Sequence, residues 1–207
     1  MNTEKPERGW RGTPDLWLDA AYQLLVEGGV EAVKVMPLAE RLGLSRTSFY
    51  WHFPDREALL AGLVDRWKAK NTGNLVARCE APAVTITEAM LNLFDCWYDD
   101  ALFDSRLEFA MRTWSLTDPA VAAAMSEADA TRVAAITALF RRFGYGAAEA
   151  DTRARTLYLT QVGYIAVRSE ESLDVRLSRN PAYVLTFCGV SPSEAEVAAF
   201  NARHPVR

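Results

Sequence analysis

Residues 44–53 read LSRTSFYWHF, four aromatics in ten, with one of the chain's two histidines among them. The hydroxyls of Thr47 and Ser48, the phenol of Tyr50, the indole of Trp51 and the imidazole of His52 can all donate to phosphate oxygens. Arg46 can pair with guanine, and Thr47 can donate, accept or meet a thymine methyl. A metal or catalytic role for His52 is disfavoured, because no Cys, Asp or His stands at ligand spacing from it. The chemistry on offer is recognition of an oxygen-rich polyanion. Within the same segment Leu44, Phe49 and Phe53 are the residues expected to pack inward, with Tyr50 able to do both because its ring can pack while its OH reaches out.

Such side chains need a rigid element to hold them. Thr13-Pro14-Asp15 reads as an N-cap, a proline in the first turn and an acid beside it. Leu16, Ala20, Leu24 and Leu25 then share one helical face, and Gly28-Gly29 ends it. A second helix is expected over Met36–Leu42, closed by Gly43. Ser45 can cap a third, with its partial positive end toward solvent. Pro54 stops that helix, and Asp55 caps a fourth reaching to about Ala77. Short helix, tight glycine turn and capped short helix make a helix-turn-helix, with the small Ala39 at the crossing. In that arrangement the first turn of the third helix faces base edges. Lys34, Arg41 and Arg56 add cations nearby, with Arg41 on a solvated face.

The segment LAERLGLSRTSFYWHFPDREALL, residues 38–60, resembles the DNA-binding region of the TetR (tetracycline-repressor-like) family. The matching parts are Leu42-Gly43-Leu44-Ser45, then Tyr50-Trp51-His52-Phe53, then Asp55, Arg56 and Glu57-Ala58-Leu59-Leu60. The resemblance implies that Arg46, Thr47 and Tyr50 face bases or the adjacent backbone. It implies phosphate contacts for Ser48, Trp51, His52 and Arg56, the last standing where the family usually has lysine. Val35 stands where the family usually has threonine. It offers no hydroxyl, which leaves Lys34 as the candidate substitute.

Beyond residue 58 the helical signals continue and no sustained two-residue alternation occurs. Helices are expected over Thr85–Ala101, Leu107–Leu116, from Asp118-Pro119 to Gly144, and over Ala147–Arg168, Ala182–Cys188 and Ser193–Ala202. The expected fold is all-α: an N-terminal three-helix bundle with the helix-turn-helix over 1–58, and a helical ligand-binding and dimerisation domain over 59–207. Polar groups set into aromatic faces suit a small-molecule pocket. The candidates are Phe94, Asp95, Tyr98, Met111, Trp114, Tyr158, Gln161 and Tyr164, against the alternative that they are ordinary core. Asp99, Asp100 and Asp104 form DDxxxD, whose extra residue turns the third acid about 100° away from a shared magnesium face. One recognition helix reads few base pairs, so a two-fold dimer on two half-sites is expected. The resemblance places its interface on Ala147–Arg168 and the helix within 178–187, with Leu157, Ile165, Leu177, Val184 and Leu185 as apolar surface. No role is assigned to the last helix.

The chain has 207 residues, half of them apolar, a net charge of −4 and a pI near 5.3. Acidity argues against nucleic-acid binding only as an average. Residues 1–75 carry ten basic and ten acidic residues, and 76–207 carry the whole excess. A binding surface need only be locally basic. Cys79, Cys96 and Cys188 are odd in number and far apart, so neither a disulfide framework nor structural zinc is expected, and no cofactor. The polar N-terminus lacks the apolar core of a signal peptide, and no apolar run could span a bilayer. The expectation is a cytoplasmic, non-enzymatic regulator that binds a palindromic double-stranded operator as a homodimer and is released by a small effector. The rival class is an α-helical enzyme or carrier with a helix-turn-helix-like corner.

Overall fold

The computed structural model describes residues 11–205, and every regular element among them is helical. The polar N-terminal stretch lies largely at 1–10, outside the described residues. The helices are α1 (Pro14–Gly28), α2 (Val35–Leu42), α3 (Arg46–Phe49), α4 (Arg56–Trp67), α5 (Asn74–Glu80), α6 (Ile86–Tyr98), α7 (Ser105–Ser115), α8 (Pro119–Arg142), α9 (Ala147–Ala166), α10 (Leu173–Cys188) and α11 (Glu194–Arg203). A 3₁₀ turn, Val30–Ala32, follows α1, and a π-helical segment, Lys68–Gly73, joins α4 to α5. No helix among the described residues is long and apolar enough to cross a membrane.

The caps expected from residue type form as hydrogen bonds. Thr13, Ser45, Asp55 and Asp118 each accept backbone N–H groups of the following turn. Gly43 sits at φ 63°, a left-handed position that glycine occupies without steric cost, and this closes α2. One helix start differs from expectation. The helix expected over Ala182–Cys188 begins earlier: α10 runs from Leu173 with Pro181 inside it. A proline there removes one ladder bond. Burial of Leu177, Val184 and Phe187 along that helix outweighs the loss.

Two apolar cores result. One gathers α1–α4, including Trp17, Leu38, Phe49 and Trp67, and continues onto Leu107, Met111 and Trp114 of α7 and Val121 and Met125 of α8. The other is built from α5, α6 and α8–α11. The residue 58/59 division thus falls inside α4, which contributes Leu59, Leu60 and Leu63 to the first core.

A buried polar cluster lies where the elements meet. Arg132 of α8 and Glu108 of α7 pair through two hydrogen bonds, 2.7 and 3.1 Å, and both side chains are essentially inaccessible. Glu108 also accepts from Trp67 Nε1 at 2.6 Å and Asn71 Nδ2 at 2.9 Å. Asn71 belongs to the π-helical segment, and it bonds the Asp104 backbone in both directions. On the far side, Tyr158 of α9 accepts from Arg132 and donates to Asp129. Burial pushes the Glu108 carboxyl up, but the Arg132 charge and its hydrogen bonds more than offset this and hold it below the usual range.

Breaking such a pair from one side leaves an uncompensated buried charge. Arg132→Leu should therefore lose about 3–5 kcal/mol of stability, read from the urea midpoint. Because the folded value of Glu108 is depressed, its contribution is complete above an unfolded value of about 4.3 and is lost as pH falls through the folded value. The acid limb of the stability–pH profile should be shallower in Glu108→Gln.

Candidate nucleic-acid interface and cavity

The corner formed by α1, α2 and α3 is held by aromatic packing. Trp17 meets Phe49 edge-on at 5.4 Å, and Phe49 stacks on Phe53 at 5.6 Å. The tight turn is fixed by Leu44 N–H donating to Ala39 O at 2.9 Å. α3 is a single helical turn, followed by hydrogen-bonded turn residues up to Phe53. So short an element carries little of the expected helix-end charge.

The candidate contacts divide by placement. Lys34, Arg46, Thr47, Tyr50 and Trp51 are exposed, with Tyr50 49% and Trp51 61% accessible. For two large aromatics this exposure is costly unless something covers them. Ser48 is not on that face: it is buried, with its hydroxyl against Ser45 Oγ at 2.9 Å. His52 is partly turned back, with Nε2 at 3.3 Å from Arg11 O. Arg56 is engaged inward. Its Nε donates to Val33 O at 2.6 Å and an Nη donates to Val30 O at 2.8 Å, clamping the link between α1 and α2. Val35 opens α2, and Lys34, its N-cap, makes no side-chain cap, leaving its ammonium outward. Sequence reasoning missed Arg11, whose guanidinium lies 3.7 Å above the Trp51 ring. Its only signal was a basic charge shortly before the first helix.

A cavity of about 640 Å³ opens among α6, α7, α9 and α10, with the end of α1 at its edge. Phe94, Tyr98, Gln161 and Tyr164 line it as expected. The other four candidates do not. Asp95 is buried on the opposite side of α6, bound to His204 Nε2 at 2.8 Å and Arg203 at 3.2 Å, with Arg78 at 3.5 Å. It docks α11, which supplies the role the last helix lacked. Met111 and Trp114 belong to the first core, and Tyr158 to the Arg132 cluster. Two of the DDxxxD acids are also spent locally: Asp99 accepts from Ala101 N, and Asp104 caps α7 and accepts from Tyr22 OH at 2.8 Å, while Asp100 is exposed.

Residues that no helical stripe pointed to complete the wall: Trp97, Arg106, Arg168, Arg176, Asn180 and Tyr183. Trp97 Nε1 and Asn180 Nδ2 are buried donors with no acceptor among the described residues. Each such group costs about 1–3 kcal/mol. Tyr183 is pushed up to about 12, first by its hydrogen bond with Tyr164 and then by burial. Val26 and Glu27, at the end of α1, also line the cavity. Glu27 is paired with Arg41 of α2 through two hydrogen bonds, 2.6 and 3.2 Å. Arg41 is exposed, as expected, but it is paired there and not free. The end of α1 thus links the cavity to α2.

Comparison with known proteins places the two halves differently. Residues 18–63 match the family model described as bacterial regulatory proteins, tetR family. The chain is 39% identical over 67 residues to the tetracycline repressor protein class A from transposon 1721 of Escherichia coli, covering 32% of this chain and 31% of that protein. It is 39% identical over 46 residues to the Escherichia coli class D repressor, 22% of this chain and 21% of that one. The chain thus spans less than a third of the length of these curated relatives. Among solved structures, a transcriptional regulator from Rhodococcus sp. Rha1 superposes with a TM-score of 0.57 at 21% identity, over 93% of this chain and 97% of that one. GusR of Salmonella enterica gives 0.59 at 18%, over 98% of each. At these identities the likeness is one of fold, and it extends across both halves.

The inward clamp of Arg56 separates two roles. Arg56→Ala should lower the stability of the N-terminal core by about 1.5–3 kcal/mol, the cost of hydrogen bonds from a charged donor, seen in thermal unfolding. Unchanged unfolding with weaker DNA binding would instead mark Arg56 as a phosphate ligand.

Proposed function

Because its N-terminal region is that of the tetR family of bacterial regulatory proteins, we propose that this chain is a DNA-binding transcriptional regulator, a repressor that holds a palindromic operator as a homodimer and is released by a small molecule. The observation that carries the reading is the outward set Arg46, Thr47, Tyr50 and Trp51 on a capped turn whose inner side is locked by Phe49. Arg46 and Thr47 read bases, Tyr50 bases or the adjacent backbone. Trp51, with Arg11 above it, and Lys34 meet phosphates. Ser48, His52 and Arg56 act by shaping the turn that presents them. The protein works in the cytoplasm, where operator DNA is found.

A dimer needs apolar surface that the chain does not bury itself. Leu157, Ile165, Leu177 and Val184 are in the chain's own core. Leu185 is 47% accessible, and Leu159 and Val175 on the same two helices are exposed as well. These three form the dimer contact on α9 and α10.

Effector binding acts through two connections to the helix-turn-helix. One is direct, from Glu27 to Arg41. The other passes from α7, which lines the cavity through Arg106 and Phe109, to Glu108 and on to Trp67 at the end of α4 and Asn71 just after it. The effector must bind the DNA-incompetent state more tightly, with about 1–3 kcal/mol of coupling between the sites.

Gel shift against the DNA upstream of the protein's own gene at moderate salt tests the reading. Arg46→Ala should relax sequence preference and cost about 1–3 kcal/mol in specific binding. A folded dimer without sequence-specific binding would sink the regulator reading and favour a carrier. Leu185→Asp should shift the sedimentation coefficient toward the monomer and abolish operator binding together.

A further inference from the structure

The donors around the cavity say what kind of molecule it takes, provided the cavity is the effector site proposed above. Trp97, Tyr98, Arg176 and Asn180 form one chain of contacts on its wall. Arg176 donates to the Trp97 backbone carbonyl and lies 4.6 Å from the centre of the Tyr98 ring. Tyr98 OH donates to Asn180 Oδ1 at 2.8 Å. That bond fixes the amide, because the oxygen is taken and the NH₂ end must face the other way. Asn180 is 3% accessible, and its Nδ2 has no acceptor among the described residues; the same holds for Trp97 Nε1. The three polar groups named here, an indole N–H, an amide NH₂ and a guanidinium, are all donors, while Gln161, Tyr164 and Tyr183 elsewhere on the lining can also accept.

The surroundings agree in charge and shape. Arg168 closes α9 at φ 51°, the one non-glycine residue with positive φ among those described, at a helix end where glycine is favoured. Its guanidinium lies 5.5 Å from the centre of the Phe109 ring, and both residues line the cavity. Of the acids on the lining, Glu171 is paired with Arg179 and Glu27 with Arg41. Asp100 and Glu170 sit at exposed positions. Beside the donors lie aromatic rings: Phe94 5.5 Å from Trp97, and Tyr183 stacked on Phe187 at 5.7 Å.

We propose that the cavity binds a small aromatic carboxylic acid, its carboxylate received by Trp97 Nε1, Asn180 Nδ2 and Arg176 and its ring by Phe94, Tyr183 and Phe187. A carboxylate accepts several hydrogen bonds at once and gains further strength from a charged donor. At these three groups an amine would meet donors only.

Isothermal titration calorimetry on the full-length dimer tests this with matched probes: benzoate, 2-naphthoate and indole-3-acetate, each beside its primary amide and its primary amine. The acids should bind about tenfold or more tighter than their amides, and the amines weakest of all. Asn180→Asp keeps the acceptor for Tyr98 but replaces the amide NH₂ with a negative charge. It should cost the acids at least about tenfold while leaving the amides little changed. Amides equal to acids, amines tighter than acids, or no binding in any set would overturn the assignment. Operator release is scored separately by gel shift. Acids that bind without releasing DNA support this assignment while counting against the regulatory reading.

Discussion

The ion pair between Glu108 and Arg132 is the constraint to which the other elements are referred. Neither charge reaches water, so each must be satisfied where it lies. Satisfying them brings in Trp67 and Asn71 from the helical run over 56–80, Arg112 from α7, Tyr158 from α9 and Thr72 beside Asn71. A regular α-helix is interrupted for this by the π-helical segment Lys68–Gly73, which carries the inaccessible Asn71 to Glu108. Apolar packing alone would tolerate sliding of these helices past one another. A bidentate buried pair does not, since half-satisfied polar clusters are worse than apolar ones.

That rigidity sets where the cavity lies relative to the corner of α1, α2 and α3. α7 leaves the cluster with Arg106 and Phe109 on the cavity, while Asp104, its cap, accepts from Tyr22 of α1. α1 in turn ends at the cavity with Glu27, whose carboxylate holds Arg41 of α2. A guest that repositions α7 or Glu27 therefore acts on elements that frame the third helix. The corner itself is small, three short helices around Trp17 and Phe49, and Arg56 bonds the backbone link that would otherwise be loose.

Much of the N-terminal region is legible in the residues alone. Cap and stop residues locate most helices, because N-caps, Pro54 and Gly43 act through bonds within four residues. The outward positions of Arg46, Thr47, Tyr50 and Trp51 follow from the same local geometry. The candidate contacts that turn inward share one cause. Ser48, His52 and Arg56 have groups suited to phosphate, but within the chain they bond Ser45, the Arg11 carbonyl and the Val30 and Val33 carbonyls. Asp95 falls on a helix face as expected, but only the packing of α11 shows which way that face looks.

Residue types and spacing therefore determined by themselves the all-α class, the helix-turn-helix and its outward side chains, since these depend on bonds within a turn or two of the chain. The tertiary structure alone decided what reaches the cavity. Trp97, Arg176 and Asn180 meet because α6 and α10 pack together, although Asn180 lies 82 residues from the Tyr98 that orients it. It also decided that Glu108 and Arg132 are a pair and not two surface charges, because a buried charge is stable only beside its complement, and the fold alone brings the complement there.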